Sequence, residues 1–171
     1  MPTCPRCALL AVVLAALAFT GCDSNNPGRD LALIEGTYEV EEITFRPSAS
    51  ELNPVDIDDR LNLTETQLRV FGTAGDDALL TIQRLDRPSR RVDLEVSASR
   101  GRASFTAQES DAAALDAILL PRQFDLSYDQ NSAGRLEGSF SRTVNLQAFD
   151  NDRYAGLTSV PGRLTVRLTR R

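Results

Sequence analysis

Residues 92–107, VDLEVSASRGRASFTA, decide the fold. Val92, Leu94, Val96 and Ala98 alternate with Asp93, Glu95, Ser97 and Ser99, and after Arg100-Gly101 the alternation resumes with Ala103, Phe105 and Ala107. A period of two sends successive side chains to opposite faces of an extended chain, so each half reads as a strand with one buried face. The Ser99-Arg100-Gly101 break offers a glycine for a hairpin-length turn, which pairs the halves antiparallel.

The same pattern recurs outward in both directions. Upstream stand Leu80 and Ile82, Leu68 and Val70, and Leu61 and Leu63; downstream stand Phe124, Leu126 and Tyr128, then Leu136, Phe140, Val144 and Leu146, then Leu164, Val166 and Leu168. In the first run, GTYEVEEITFR from Gly36 to Arg46, Tyr38 and Val40 have one parity and Ile43 and Phe45 the other. A β-bulge at Glu41-Glu42 is therefore expected, because one extra residue restores all four to the same face. Turn-formers at Thr73 to Asp77 and Asn131 to Gly134 separate further runs. The expectation is an all-β chain of eight or nine antiparallel strands, closed as a β-barrel or stacked as a β-sandwich. One segment departs from it. Glu109 to Leu120, ESDAAALDAILL, has Ala112, Leu115, Ile118 and Leu119 at helical spacing, Thr106 and Glu109 in capping-box relation and Pro121 as a stop, which predicts one short helix of about three turns.

The 171 residues allow one domain. All 19 basic residues are arginine, against 24 acidic ones, and His and Trp are absent. That balance excludes a nucleic-acid partner, which requires a basic face. Ala8 to Phe19 is an apolar run of 12 residues behind Arg6, too short to span a bilayer and suited to an export signal. Thr20-Gly21-Cys22 follows, and then the polar stretch DSNNPGRD.

This junction resembles the bacterial lipobox, with Phe19 where Leu is usual. The resemblance implies a lipoprotein: a signal peptide at residues 1–21, a diacylglyceryl thioether on Cys22, a flexible tether at 22–30 and the β domain at 31–171. Two or three acyl chains hold such a protein stably to a membrane. The implied location is the cell envelope, with the outer membrane favoured over the inner. Cys22 is then an anchor. Cys4-Pro5-Arg6-Cys7 has redox and metal spacing, yet it falls within the leader, and Asn62-Leu63-Thr64 matches a glycosylation sequon that bacteria seldom read.

Leu33-Ile34-Glu35-Gly36-Thr37-Tyr38 resembles the opening of lipocalin-like bacterial lipoproteins, with Tyr38 in place of the Trp of their Gly-x-Trp element. Asp152-Arg153-Tyr154 and Arg163 or Arg167 stand in the order of the second and third lipocalin motifs. That family places its helix after the barrel, whereas the helix expected here falls mid-chain.

Catalytic chemistry finds few players. A domain without His, Lys or an internal thiol lacks the usual bases and nucleophiles, and no GxSxG elbow is present. Glu41, Glu42, Asp56, Asp58 and Asp59 are the carboxylates from which a glycosidase pair could be drawn, but acidic loop residues ordinarily serve solvent and turns. Asp56-Ile57-Asp58-Asp59 and Asp150-Asn151-Asp152 resemble calcium loops only in composition, without the glycine and distal Glu of an EF-hand. Arg90-Arg91 and Arg170-Arg171 could meet anionic headgroups or protect strand edges. The expectation is a non-enzyme with no cofactor and no metal. Two functions follow from the pattern: a module holding a small apolar ligand in a cavity lined by Tyr38, Phe45, Phe105, Phe124, Tyr128 and Phe140, or a structural or interaction protein of the envelope. Small inward residues such as Ala98, Ala103, Ala107 and Gly138 would leave room for a ligand if the barrel closes, which favours the first.

Overall fold

The computed structural model describes residues 27–71 and 77–171. The leader with its CxxC pair, Cys22, the first part of the tether and the turn at 73–76 lie outside the described residues. The elements are α1 (Pro27–Ile34), β1 (Gly36–Pro47), β2 (Val55–Asp56), α2 (Ile57–Leu61), β3 (Gln67–Phe71), β4 (Asp77–Arg84), β5 (Arg87–Ser99), β6 (Arg102–Ala107), a 3-10 turn (Glu109–Asp111), α3 (Ala112–Asp116), β7 (Gln123–Asp129), β8 (Ser132–Val144), a second 3-10 turn (Leu146–Ala148) and β9 (Val160–Arg170).

The VDLEVSASRGRASFTA segment forms the hairpin its alternation predicts, with Leu94 opposite Ala107, Val96 opposite Phe105 and Ser99 opposite Arg102. Arg100 and Gly101 make the turn at φ 52° and 79°, the two left-handed residues of a type I′ connection, whose twist matches that of the strands. From β3 to β9 each strand pairs antiparallel with the next, and β1 joins both β3 and β9. The sheet therefore closes on itself as an eight-stranded up-and-down barrel with β2 as a short extra strand on β1. Closure removes the sheet's free edges and settles barrel over sandwich. The ladder closes entirely within the described residues. No helix among them is long and apolar enough to cross a membrane.

The bulge is present. Val40 pairs with Leu168 and Glu42 with Arg167, which leaves Glu41 as the extra residue and returns Ile43 and Phe45 to the inner face beside Tyr38. Inward positions are buried along every barrel strand: Tyr38, Ile43, Phe45, Leu68, Leu80, Val92, Phe105, Leu126, Leu136 and Leu164 are each 3% exposed or less. Fully burying each such side chain contributes about 1.5–3 kcal/mol. Phe105 stacks on Phe124 at 5.2 Å and 18°, and Phe140 meets Phe124 edge-on at 6.2 Å and 78°.

Both barrel ends are covered. At one end α1 inserts Leu31 and Ile34, while Asp30 Oδ2 accepts the backbone N–H of Arg100 at 2.7 Å. The Tyr38 hydroxyl lies 3.0 Å from the Ile34 carbonyl and 3.1 Å from that of Ala133, and Arg170 Nη2 donates to the carbonyls of Leu33, at 2.9 Å, and Glu35. The last turn of a helix leaves carbonyls without intrahelical partners, and here a guanidinium and a phenol satisfy them. At the other end Leu115, Ile118 and Leu120 from the 112–120 connection close the mouth with Ile57, Leu61, Leu146 and Tyr154.

Four expectations need correction. The helix expected over 109–120 is a 3-10 turn followed by one short α-helix, and Leu119 ends the segment at φ 65°. Its capping box does not form, since Thr106 belongs to β6 and the extended Gln108 precedes the turn without a side-chain cap. Ala107 N–H instead bonds the Arg122 carbonyl at 3.0 Å, continuing the β6–β7 ladder past the point where a longer helix would start. The tether ends earlier than residue 30, because Pro27 to Asp30 form the first half of α1, whose apolar Leu31 and Ile34 cap the barrel. Leu61 closes α2 and is not in a strand: Asp56 Oδ1 accepts Asp59 N–H at its start, and Asn62 at φ 51° ends it.

Candidate functional site

All six aromatics expected to line a cavity have inward parity. Tyr38, Phe45, Phe105, Phe124 and Tyr128 are buried and Phe140 is partly buried. They fill space. The apolar void bounded by Val40, Ile43, Leu80, Ile118, Leu120 and Phe124 measures about 10 Å³, at the size of a single probe sphere and far below the roughly 300 Å³ of a ligand pocket. Of the small inward residues, Ala107 lies opposite the larger Leu94, while Ala98 and Ala103 lie opposite each other, and all three are buried. At Gly138 an added Cβ would stand 2.6 Å from the Asp125 carbonyl and 2.8 Å from the Phe140 ring, so this glycine allows close approach and leaves no space. Burial of the phenols raises the pKa of both Tyr38 and Tyr128, with Arg170 partly offsetting it for Tyr38.

The lipocalin-order motifs distribute differently from the sequence expectation. The cation over Tyr38 is Arg170, 5.4 Å from the ring, and neither Arg163 nor Arg167. Arg163 is exposed, and Arg167 binds Glu42 at 2.5 Å and Glu137 at 3.5 Å. Arg153 covers Tyr154 at 5.3 Å in the loop at the opposite end.

The carboxylates have structural partners. Glu41 accepts Thr169 Oγ1–H at 2.6 Å and pairs with Arg135 at 3.2 Å, contacts that hold its carboxyl below the usual range. Carboxylate oxygens of Asp56, Asp58 and Asp59 lie within 4.8 Å of one another. Asp56 caps α2, and Asp58 Oδ1 accepts the backbone N–H of Ile43 at 2.8 Å. Beyond Glu39 the β1–β3 ladder ends, with Val40 N–H bonding the Thr66 carbonyl, and the Asp58 carboxylate takes the place of a strand partner for Ile43. Burial, with Asp56 alongside, pushes Asp58 up to about 6. Asp150 accepts Arg153 N–H at 3.0 Å and pairs with Arg60 at 3.4 Å.

Of the depressions that open on the outside of the described residues, two bear on a site. One, of about 470 Å³, follows the seam where β7 and β8 pair only at Ser127–Glu137 and Asp129–Ser132, and polar side chains such as Arg102, Asp125 and Glu137 wall it. The other, of about 340 Å³, lies between the tip of the β4–β5 hairpin and α3. Its base is Ile82, Ala113, Ala114, Ala117 and Ile118, and its rim carries Arg84, Arg87 and Arg90. Nothing in the sequence marked this cup, because it joins two segments that read separately as a turn and a helix. Comparison with known proteins found no matching family model, no similar curated protein and no similar solved structure.

Proposed function

We propose that this chain is a cell-envelope lipoprotein, anchored through Cys22, whose barrel works from its outer surface as a structural or interaction domain. The observation that supports the second half is the tightly packed interior: among the described residues the void beside Ile43, Leu80 and Phe124 measures about 10 Å³, far less than an enclosed ligand needs. The first half rests on the apolar leader and Thr20-Gly21-Cys22. Five residues lead from Cys22 to Pro27, a span of at most about 18 Å when extended, so an acyl anchor at Cys22 would hold the α1 end toward the bilayer. The other end, with the 112–120 connection and the β4–β5 tip, would then face away from it.

Two experiments test the two halves separately. Metabolic labelling with a palmitate analogue should mark the wild-type chain and leave Cys22→Ala unmarked. Titration of residues 23–171 with an environment-sensitive apolar dye should show no saturable one-to-one binding inside the barrel.

A further inference from the structure

Along β5 the inward positions are Val92, Leu94, Val96 and Ala98, all buried. One step further toward the hairpin tip the same parity falls on Arg90, which lies opposite Ile82 on β4 and is exposed. A charged side chain at the next core-facing position breaks the apolar pattern of the strand, at the place where the barrel mouth gives way to the cup. Arg84 forms a bidentate pair with Asp86 at 3.0 and 3.1 Å, and Arg87 reaches the same carboxylate at 3.6 Å. Arg90 has no ion pair among the described residues. Three guanidiniums thus rim the cup against one carboxylate, in a chain whose net charge is −5. Beneath them Ala113 on α3 and Ala117 just past its end are exposed beside the buried Ala114, and small side chains at these positions leave about 340 Å³ open.

We propose that this cup binds an amphipathic anion, a carboxylate carried on a short alkyl chain. The head pairs with Arg90 and Arg87, and the chain lies on Ala113, Ala117 and Ile118. Arg90 is the primary partner because binding there breaks no existing ion pair, whereas Arg84 is held bidentately by Asp86 and Arg87 reaches that carboxylate only at 3.6 Å. A guanidinium accepts a carboxylate through two parallel N–H donors, which orients the head while the alkyl chain supplies contact area. Ile118 is 1% exposed and also borders the interior void, so it closes the floor and keeps the ligand outside the barrel. This deepens the outer-surface reading by giving that surface a site.

Decanoate is the probe, and alanine-methyl NMR of residues 23–171 is the readout, since Ala113 and Ala117 report the cup while Ala98, Ala103 and Ala107 report the interior. The expected result is saturable shifts at Ala113 and Ala117 with a dissociation constant of about 0.1–1 mM, the affinity an open apolar site of this size supports for a ligand of that many atoms. Arg87→Ala with Arg90→Ala should weaken binding roughly tenfold or more, as should replacing decanoate with decanol, each removing the charge-assisted pair. Ala117→Leu, which fills the cup without touching its charge, should abolish the Ala113 shifts. Decanoate that moves no methyl up to about 10 mM, or whose binding survives both the double variant and Ala117→Leu, overturns the cup and leaves the outer-surface reading standing. Shifts confined to Ala98, Ala103 and Ala107 overturn both.

Discussion

The carboxylate of Asp58 substitutes for a β-strand: its Oδ1 accepts the backbone N–H of Ile43 at 2.8 Å, just past the bulge where β1 has left β3. A buried N–H without an acceptor costs about 1–3 kcal/mol, so this bond explains why an acidic group is kept in a half-buried place. Its pKa of about 6 lies above the ordinary 3.8. Between those values the folded chain holds a proton that the unfolded chain has released. Asp58 therefore contributes most to stability below about pH 4, and that contribution is lost as pH rises through 6.

Asp58→Asn keeps an oxygen acceptor for Ile43 and removes the charge. The variant should be more stable than wild type at pH 7, by roughly 1 kcal/mol after allowing for solvent screening, with the advantage disappearing toward pH 4. Urea midpoints for both proteins across pH 4–7 measure this. An advantage that does not vary with pH would contradict the assignment. Asp58→Ala, which leaves Ile43 without its acceptor, should be destabilised at both ends of the range.

At the α1 end, Arg170 donates to the Leu33 and Glu35 carbonyls and lies 5.4 Å from the Tyr38 ring. Removing it orphans the end of a helix that has only eight residues. Arg170→Ala should cost about 2 kcal/mol, and Arg170→Lys should recover less than half, because a single ammonium cannot reproduce the planar fork. Thermal or urea denaturation reads both. A loss below about 0.5 kcal/mol for Arg170→Ala would show that Leu31 and Ile34, with the Tyr38 and Asp30 hydrogen bonds, hold α1 without Arg170.

Two glycines on one strand make a controlled pair. A Cβ at Gly138 would meet the Asp125 carbonyl at 2.6 Å and Leu126 Cδ2 at 2.7 Å, whereas one at Gly134 would find only Ser132 Oγ at 3.8 Å. Gly138→Ala should therefore lose about 1–3 kcal/mol and Gly134→Ala should change stability little. Equal effects would mean that β7 and β8 yield at the seam, and that the interior is less tightly filled than its geometry indicates.

Much of the barrel is legible from alternation because each strand has one wet face. The Tyr38–Val40 and Ile43–Phe45 phase change even locates the bulge. What escaped was local structure whose stabilisation is tertiary. Pro27 to Asp30 reads as the end of a tether because it has no large apolar side chain to bury, yet it forms one helix with Leu31 to Ile34 once a barrel end is there to receive Leu31 and Ile34. The Ala-rich segment at 109–120 has helical spacing throughout, but it must bridge β6 to β7 across the mouth, and Leu119 turns left-handed so that Ile118 and Leu120 both point inward. Aromatics on inward positions announced a core and could not say whether it was hollow. That depends on how the rings interlock, as in the Phe105–Phe124–Phe140 stack, and spacing along the chain does not encode it.

The central claim is that the barrel is solid and works from outside, and titration of residues 23–171 with an environment-sensitive apolar dye tests it most directly. No saturable one-to-one binding is expected in Ala117→Leu, whose outer cup is filled and whose interior is untouched. Saturable stoichiometric binding that survives Ala117→Leu and that shifts the methyls of Ala98, Ala103 and Ala107 would place a ligand inside the barrel and contradict it.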